Sequence, residues 1–428
     1  MTLQRCLGLA PLGARRGILA GLGLLAALSA PLHAADLPVA PDLAAAGFAP
    51  ARLDRVRSLL DDAVARGDYA GATWVVLRDG EIVSRGASGY RNLEARIPMT
   101  EDTVFAIASM TKILTSVTAL TLLEEGRFNL DDPVSDHLPE FKHLQVFVGG
   151  TADAPELVPA KKVLTIRHLL THCSGFTYGG FEGDPWRTLY ERAGLWQAAS
   201  LRDFAARAAR LPLKHEPGEG WTYGINTDLL GALIEQVSGQ PLGEAMRTRV
   251  FEPLGMTSTS LGHRPDLDLR LAQLYERRPD GLVPIANPLE EMLGHVPSGG
   301  AGAFSTAGDY ARFAQMLANG GRLDEVRVLG RKTVELMTSK QVLGVDPAVS
   351  NRWAPPGFGL GVRIRLASER GESLGSAGMY GWEGYTSTLV RVDPEERIVL
   401  ILLLQHRPYN DRGIFEKFTN TVYQALAD

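Results

Sequence analysis

The sequence predicts an α/β (α+β) fold: an antiparallel sheet built from N- and C-terminal segments and flanked by helices, with a mainly helical middle. Two observations carry this. Strand character concentrates near both ends, at Thr73–Ser84 and again between Leu360 and Leu404, while the stretch between them reads as helix and loop. The chain is also long enough, at 428 residues with 45% apolar content, for one large or two medium cores. The expected parts are a signal sequence at 1–34, an α/β part from 40–130 with 298–428, and a helical part at 131–297.

The first 34 residues carry Arg5, Arg15 and Arg16, an apolar run from Gly17 to Ala30, and Pro31-Leu32-His33-Ala34 as a cleavage site after Ala34. Arg15-Arg16-Gly17-Ile18-Leu19 is similar to a twin-arginine signal but lacks the flanking serine and later lysine, so both export routes stay open. The apolar run is shorter than the roughly 20 residues of a spanning helix. An exported protein, periplasmic or secreted, with no stable membrane association after cleavage is therefore expected. Cys6 leaves with the signal, and Cys173 then has no intramolecular partner. It is expected as a small buried residue.

Further along, Leu53, Val56, Leu60 and Val64 mark one face of a helix over Asp54–Arg66, closed by Gly67. Thr73–Leu77 and Glu81–Ser84 flank Asp79-Gly80, a strong hairpin signal. Ile113, Leu114, Val117, Leu120 and Leu123 repeat with the helical period, and Gly126 stops that helix. Strands are expected at Leu360–Arg365, Tyr385–Val392 and Ile398–Leu404, with Asp393 to Arg397 turning between the last two. Ile414, Phe415, Phe418, Val422 and Leu426 make a terminal helix.

The chemistry begins at Ser109-Met110-Thr111-Lys112. On a helix, positions three apart share a face with Cβ atoms roughly 5–6 Å apart, so Lys112 can reach the Ser109 hydroxyl. The positive end of the helix dipole also favours charge developing on that oxygen. Alone, S-x-x-K is a weak signal, since serine and lysine are common. Two further elements strengthen it: Trp221-Thr222-Tyr223-Gly224-Ile225-Asn226-Thr227-Asp228, and Gly381-Trp382-Glu383-Gly384-Tyr385.

In order and spacing these three elements resemble the serine β-lactamase and penicillin-binding superfamily, which carries S-x-x-K, a tyrosine or serine element, and K-T-G on an edge strand. Thr165-Ile166-Arg167-His168-Leu169-Leu170-Thr171-His172-Cys173-Ser174-Gly175 and Ser298-Gly299-Gly300 through Phe313 extend the resemblance over nearly the whole mature chain. The match is closest to the family VIII carboxylesterases, with Tyr223 five residues before Asp228 and Trp382-Glu383-Gly384 in place of K-T-G. Unlike a class C β-lactamase, the chain has Ile225 where Y-x-N needs asparagine, Asn226 stands one residue out of register, and Trp382 supplies no cation for a substrate carboxylate.

The resemblance implies an esterase acting on small-molecule esters through an acyl-serine, with no cofactor and no metal. Ser109 is the expected nucleophile. Lys112 as a neutral amine, or Tyr223 as a phenolate, takes its proton. The backbone N–H groups of Ser109 and Tyr385 form the oxyanion hole, and Trp382, Gly384 and Ile225 bind substrate. Asp228 is read as orienting the tyrosine segment or capping a helix. A D,D-peptidase or D-amino-acid amidase, a β-lactamase, a transesterase, and a domain that binds without turnover use or inherit the same residues and stand as alternatives.

Other patterns carry less. Gly371-Glu372-Ser373-Leu374-Gly375 matches G-x-S-x-G, but that elbow needs a helix after the serine, and a turn and strand follow here. His168 and His172 are four apart yet lack the H-E-x-x-H glutamate. A net charge of -5 without a dense basic run speaks against nucleic acid as a partner.

Overall fold

The computed structural model describes residues 36–287, 296–369, 371 and 373–427. The signal sequence read at 1–34, with Cys6, lies outside the described residues. Asp79 and Gly80 take positive φ values of 54° and 86°, the turn whose twist matches that of paired strands. They join β1 (Gly71–Arg78) to β2 (Glu81–Asn92) as the sequence predicts. With β3 (Ile97–Pro98), β4 (Arg363–Ile364), β5 (Tyr380–Gly384), β6 (Thr388–Asp393) and β7 (Ile398–Leu404) they form a seven-stranded antiparallel sheet, ordered β4-β5-β6-β7-β1-β2-β3. The two ends of the chain meet at its centre, where Val75 of β1 pairs with Ile401 of β7.

Helices α1 (Arg55–Ala65), α4 (Ala307–Ala318) and α5 (Ile414–Tyr423) pack on this sheet, while α2 (Thr111–Glu124) and α3 (Asn226–Ser238) pack on each other. Because side chains alternate along a strand, Trp74, Val76, Leu400 and Leu402 face one way, onto Val56 and Leu60 of α1 and Phe418 and Val422 of α5. Val75, Leu77, Val399 and Ile401 face the other way, into the large core shared with Phe313 of α4 and Val117 of α2. Coverage on both faces explains the unbroken apolar run of β7.

Helix α2 is buried on all sides from Thr111 to Leu122, which its apolar circumference requires. Its buried threonines find acceptors: Thr115 donates to the carbonyl of Gly299 at 2.7 Å and Thr118 to that of Leu114, one turn back, at 2.9 Å.

Three expectations are adjusted. The strand read at Leu360–Arg365 is reduced to β4. The strand read at Tyr385–Val392 begins only at Thr388, because Tyr385 to Ser387 turn. The Ser387 N–H closes the turn on the Gly384 carbonyl (3.0 Å) with Ser387 at φ +64°, and the Thr386 hydroxyl donates to the carbonyl of Ala106 (2.8 Å) and Ser387 to that of His406 (3.0 Å). The Trp382-Glu383-Gly384 segment is instead itself strand, within β5. The middle is not purely helical either: hairpins Gln145–Gly150 with Pro155–Pro159 and Tyr275–Arg278 with Gly281–Pro284 stand among its helices. Residues 36–428 cluster as one unit, and the large core runs through both the sheet and this middle. Among the described residues, no helix is long and apolar enough to cross a membrane.

Candidate active site

Ser109 sits in a short 3-10 turn, Ala108–Met110, that feeds directly into α2. The turn is tight. Ala108 is buried with φ at +47°, a left-handed conformation that is strained for a residue with a Cβ. The surroundings hold it there: Thr111 donates to the Ala108 carbonyl at 2.6 Å and accepts from the N–H of Ala303 at 3.0 Å, and Ile107 donates to the Ala303 carbonyl at 3.0 Å.

One turn on, Lys112 is 2% exposed. Its Nζ lies 3.2 Å from Oγ of Ser109, 3.0 Å from the hydroxyl of Tyr178 and 2.7 Å from the carbonyl of Gly300. That carbonyl can only accept, so one N–H is committed to it in either protonation state. Tyr223 arrives from the loop before α3, and its hydroxyl stands 2.7 Å from Oγ of Ser109. Lys112 Nζ lies over the Tyr223 ring, 4.6 Å from its centroid. The three residues singled out from two separate motifs are thus in mutual contact.

Strand β5 closes the other side. The indole N–H of Trp382 donates to the Tyr223 hydroxyl at 3.3 Å, and its ring packs on Phe358 at 5.5 Å. Gly384 ends the strand against the serine segment: a Cβ there would stand 2.1 Å from Oγ1 of Thr388 and 2.5 Å from the carbonyl of Ile107. Thr388 donates to that carbonyl at 3.1 Å. Tyr385 follows and packs on Ala108, which brings the two expected backbone donors onto adjoining segments. Gly384 itself is buried and serves this close approach, not substrate contact.

Ile225 is a correction. It is fully buried in the large core, at the start of α3, so it cannot line the opening. Asn226 is locked away as well, donating to Nδ1 of His172 at 2.9 Å and to the carbonyl of Thr222 at 3.2 Å. His172 packs edge-on against Phe358 and tilted against Tyr223 and Trp221. Burial, and then the Lys112 charge, hold its imidazole well below the usual range. His168 is engaged separately, accepting from the N–H of Thr165 at 3.1 Å. Cys173 is buried beside Trp221 and Phe358, and burial pushes its thiol up to about 11. Around Ser373 the chain forms bends and turns with no helix after it, so the elbow geometry is missing.

Two residues stand out that motif spacing alone did not assign to the site. Tyr178 reaches Lys112 from the loop after Gly175, whose only sequence signal is an aromatic flanked by glycines. Burial, then the nearby Asp228 and Tyr223, push its phenol well above the usual range. Asp228, on the first turn of α3, accepts from the Ser298 hydroxyl at 2.5 Å and from the Gly300 N–H at 3.0 Å. It therefore orients the peptide whose carbonyl holds Lys112. Its Oδ2 has no partner among the described residues. Burial raises the carboxyl, against Lys112, Ser298 and Gly300, which lower it.

This architecture has relatives. The family model described as Beta-lactamase matches residues 56–419. Protein Rv1367c of Mycobacterium tuberculosis is 31% identical over 365 residues, covering 83% of this chain and 90% of its own. Esterase EstB of Burkholderia gladioli is 37% identical over 314 residues, covering 67% of this chain and 75% of its own. Among solved structures, "EstCE1, a hydrolase with promiscuous acyltransferase activity" superposes with a TM-score of 0.74 at 25% identity, covering 89% of this chain and 99% of that one.

Proposed function

The chain belongs to the beta-lactamase family, and on that premise we propose that it hydrolyses neutral carboxylic esters through an acyl-Ser109 intermediate. The observation that carries this reading is the 2.7 Å contact between the hydroxyls of Tyr223 and Ser109, with Lys112 on the other side of the serine. A serine hydroxyl needs a base to become a nucleophile. Here Tyr223 and Lys112 act as one relay: the serine proton passes to the pair as Oγ bonds the carbonyl carbon. It then passes to the leaving alcohol as the ester C–O bond breaks. Water repeats the sequence in reverse to free the acid. The N–H groups of Ser109 and Tyr385 hold the oxyanion, each worth about 3–4 kcal/mol in the transition state.

The esterase preference rests on Trp382 and on EstB, a relative named as an esterase. At this position an indole offers an apolar face and one donor, already directed to Tyr223. A substrate carboxylate would find no cation there, and an unpaired buried charge is costly. The expected result is turnover of p-nitrophenyl butyrate with kcat/KM at least about 100-fold above nitrocefin or a D-Ala-D-Ala peptide. Comparable values would move the protein to the β-lactamase or peptidase side.

Acyl transfer to an alcohol is a second reading, favoured by the promiscuous acyltransferase activity of EstCE1. Butyl ester formation from p-nitrophenyl butyrate and butanol would distinguish it from hydrolysis alone. Export of the mature chain through the 1–34 signal is part of the same proposal, and release of a mature form beginning at Ala35 tests it.

A further inference from the structure

Two large apolar side chains stand open near the tyrosine–lysine centre. Phe181 is 51% and Trp353 39% exposed, with their rings edge to face and 5.3 Å apart. Phe181 also meets Tyr178 edge to face at 5.9 Å, and the Tyr178 hydroxyl is the one 3.0 Å from Lys112 Nζ. Aromatic contacts therefore run without a break from solvent to the amine beside Ser109.

The two loops that carry this pair are tied together. Glu182, next to Phe181, accepts from Lys214 Nζ at 2.7 Å and from Asn351 Nδ2 at 3.2 Å. Asn351, two residues before Trp353, donates its N–H to the carbonyl of Trp221 at 2.9 Å, next to the Tyr223 loop. The Arg352 guanidinium covers Trp353 at 4.6 Å from a ring centroid. Side chains of this size gain by leaving water, yet the loop bonds hold them half-open and facing each other. Two rings at 73° present one face and one edge, and aromatic pairs prefer edge-to-face or offset-stacked arrangements, so a further ring has a partner on either surface.

We propose that Phe181 and Trp353 form a subsite for an aromatic ring carried by the substrate several bonds from the scissile carbonyl. The proposal rests on the esterase reading above and narrows its substrate class to ring-bearing neutral esters.

The test compares ethyl 4-phenylbutyrate with ethyl butyrate, reading the ratio of their kcat/KM values. Phe181→Ala and Trp353→Ala should each lower that ratio about 5–10-fold, mainly through KM, while Phe181→Tyr and Trp353→Phe keep it within about twofold. An unchanged ratio in both alanine variants overturns the subsite. The same two esters are titrated calorimetrically into Ser109→Ala protein, with and without Phe181→Ala. Ring-selective weakening in an enzyme that hydrolyses no ester would leave the subsite standing and remove the esterase reading. Hydrolysis of both esters with no ring-selective effect would remove the subsite alone.

Discussion

Tyr223 and Ser109 lie 114 residues apart in sequence, yet their hydroxyls are 2.7 Å apart. Tyr223 is fixed from three directions: the Trp382 N–H reaches its oxygen, Trp221 stacks beside it at 15° and 6.0 Å, and Lys112 Nζ covers its face. A proton can cross this contact without rearrangement, since either hydroxyl can donate.

If Lys112 and Tyr223 work as one relay, their losses will not add. Lys112→Ala and Tyr223→Phe should each lower kcat by about 10³-fold or more, and the double variant should lose little beyond the worse single. Steady-state kinetics on p-nitrophenyl butyrate measures this. Barrier increments that simply sum would mean independent roles.

Trp382→Phe keeps an aromatic ring against Phe358 but removes the N–H that Tyr223 accepts. A hydrogen bond of this kind contributes about 0.5–1.5 kcal/mol, so kcat should fall by up to about tenfold with KM for a small ester little changed. A larger change in KM than in kcat would assign Trp382 to substrate contact instead.

Gly384→Ala places a Cβ where Thr388 and the Ile107 carbonyl already stand. Strand β5 must move away from the serine segment, displacing the Tyr385 N–H. The expectation is a loss of about 10–100-fold in kcat, the scale of a misplaced oxyanion donor, with a melting temperature lowered by several degrees. Wild-type kinetics in a well-folded Gly384→Ala protein would show that this approach is not required.

Acid should weaken the fold through its buried histidines. Burial pushes His168 and His406 down to about 4, below the ordinary value near 6.5. The unfolded chain then binds more protons than the native one, so stability falls from about pH 6.5 towards pH 4, by up to about 1.4 kcal/mol per pH unit for each histidine. Asp228, raised by burial, works in the opposite sense as pH falls from its raised value towards the ordinary carboxylate range. His168→Gln keeps an acceptor for the Thr165 N–H without the proton. Urea melts should therefore show it close to wild type at pH 7.5 and more stable than wild type at pH 5. Identical pH slopes would show that His168 is not responsible.

What the sequence made legible was local. The Asp79-Gly80 turn, the apolar run of β7 and the three-residue spacing of Ser109 and Lys112 each express a short-range rule, and each appears in the structure. The Tyr223 and Trp382 motifs came together because their order resembles that of a known family. Tyr178 escaped because its contact with Lys112 is made by a loop with no periodicity. Ile225 misled because motif position fixes a residue's place in the chain but not its direction, and the start of α3 turns it into the core. Tyr385 packs on Ala108, next to the serine, although it opens a turn and not a strand.

The most direct test of the central claim is mass spectrometry after reaction with a fluorophosphonate. A single covalent adduct is expected, mapping to Ser109 and disappearing in Ser109→Ala together with esterase activity. An adduct at Ser373, or full activity in Ser109→Ala, would contradict it.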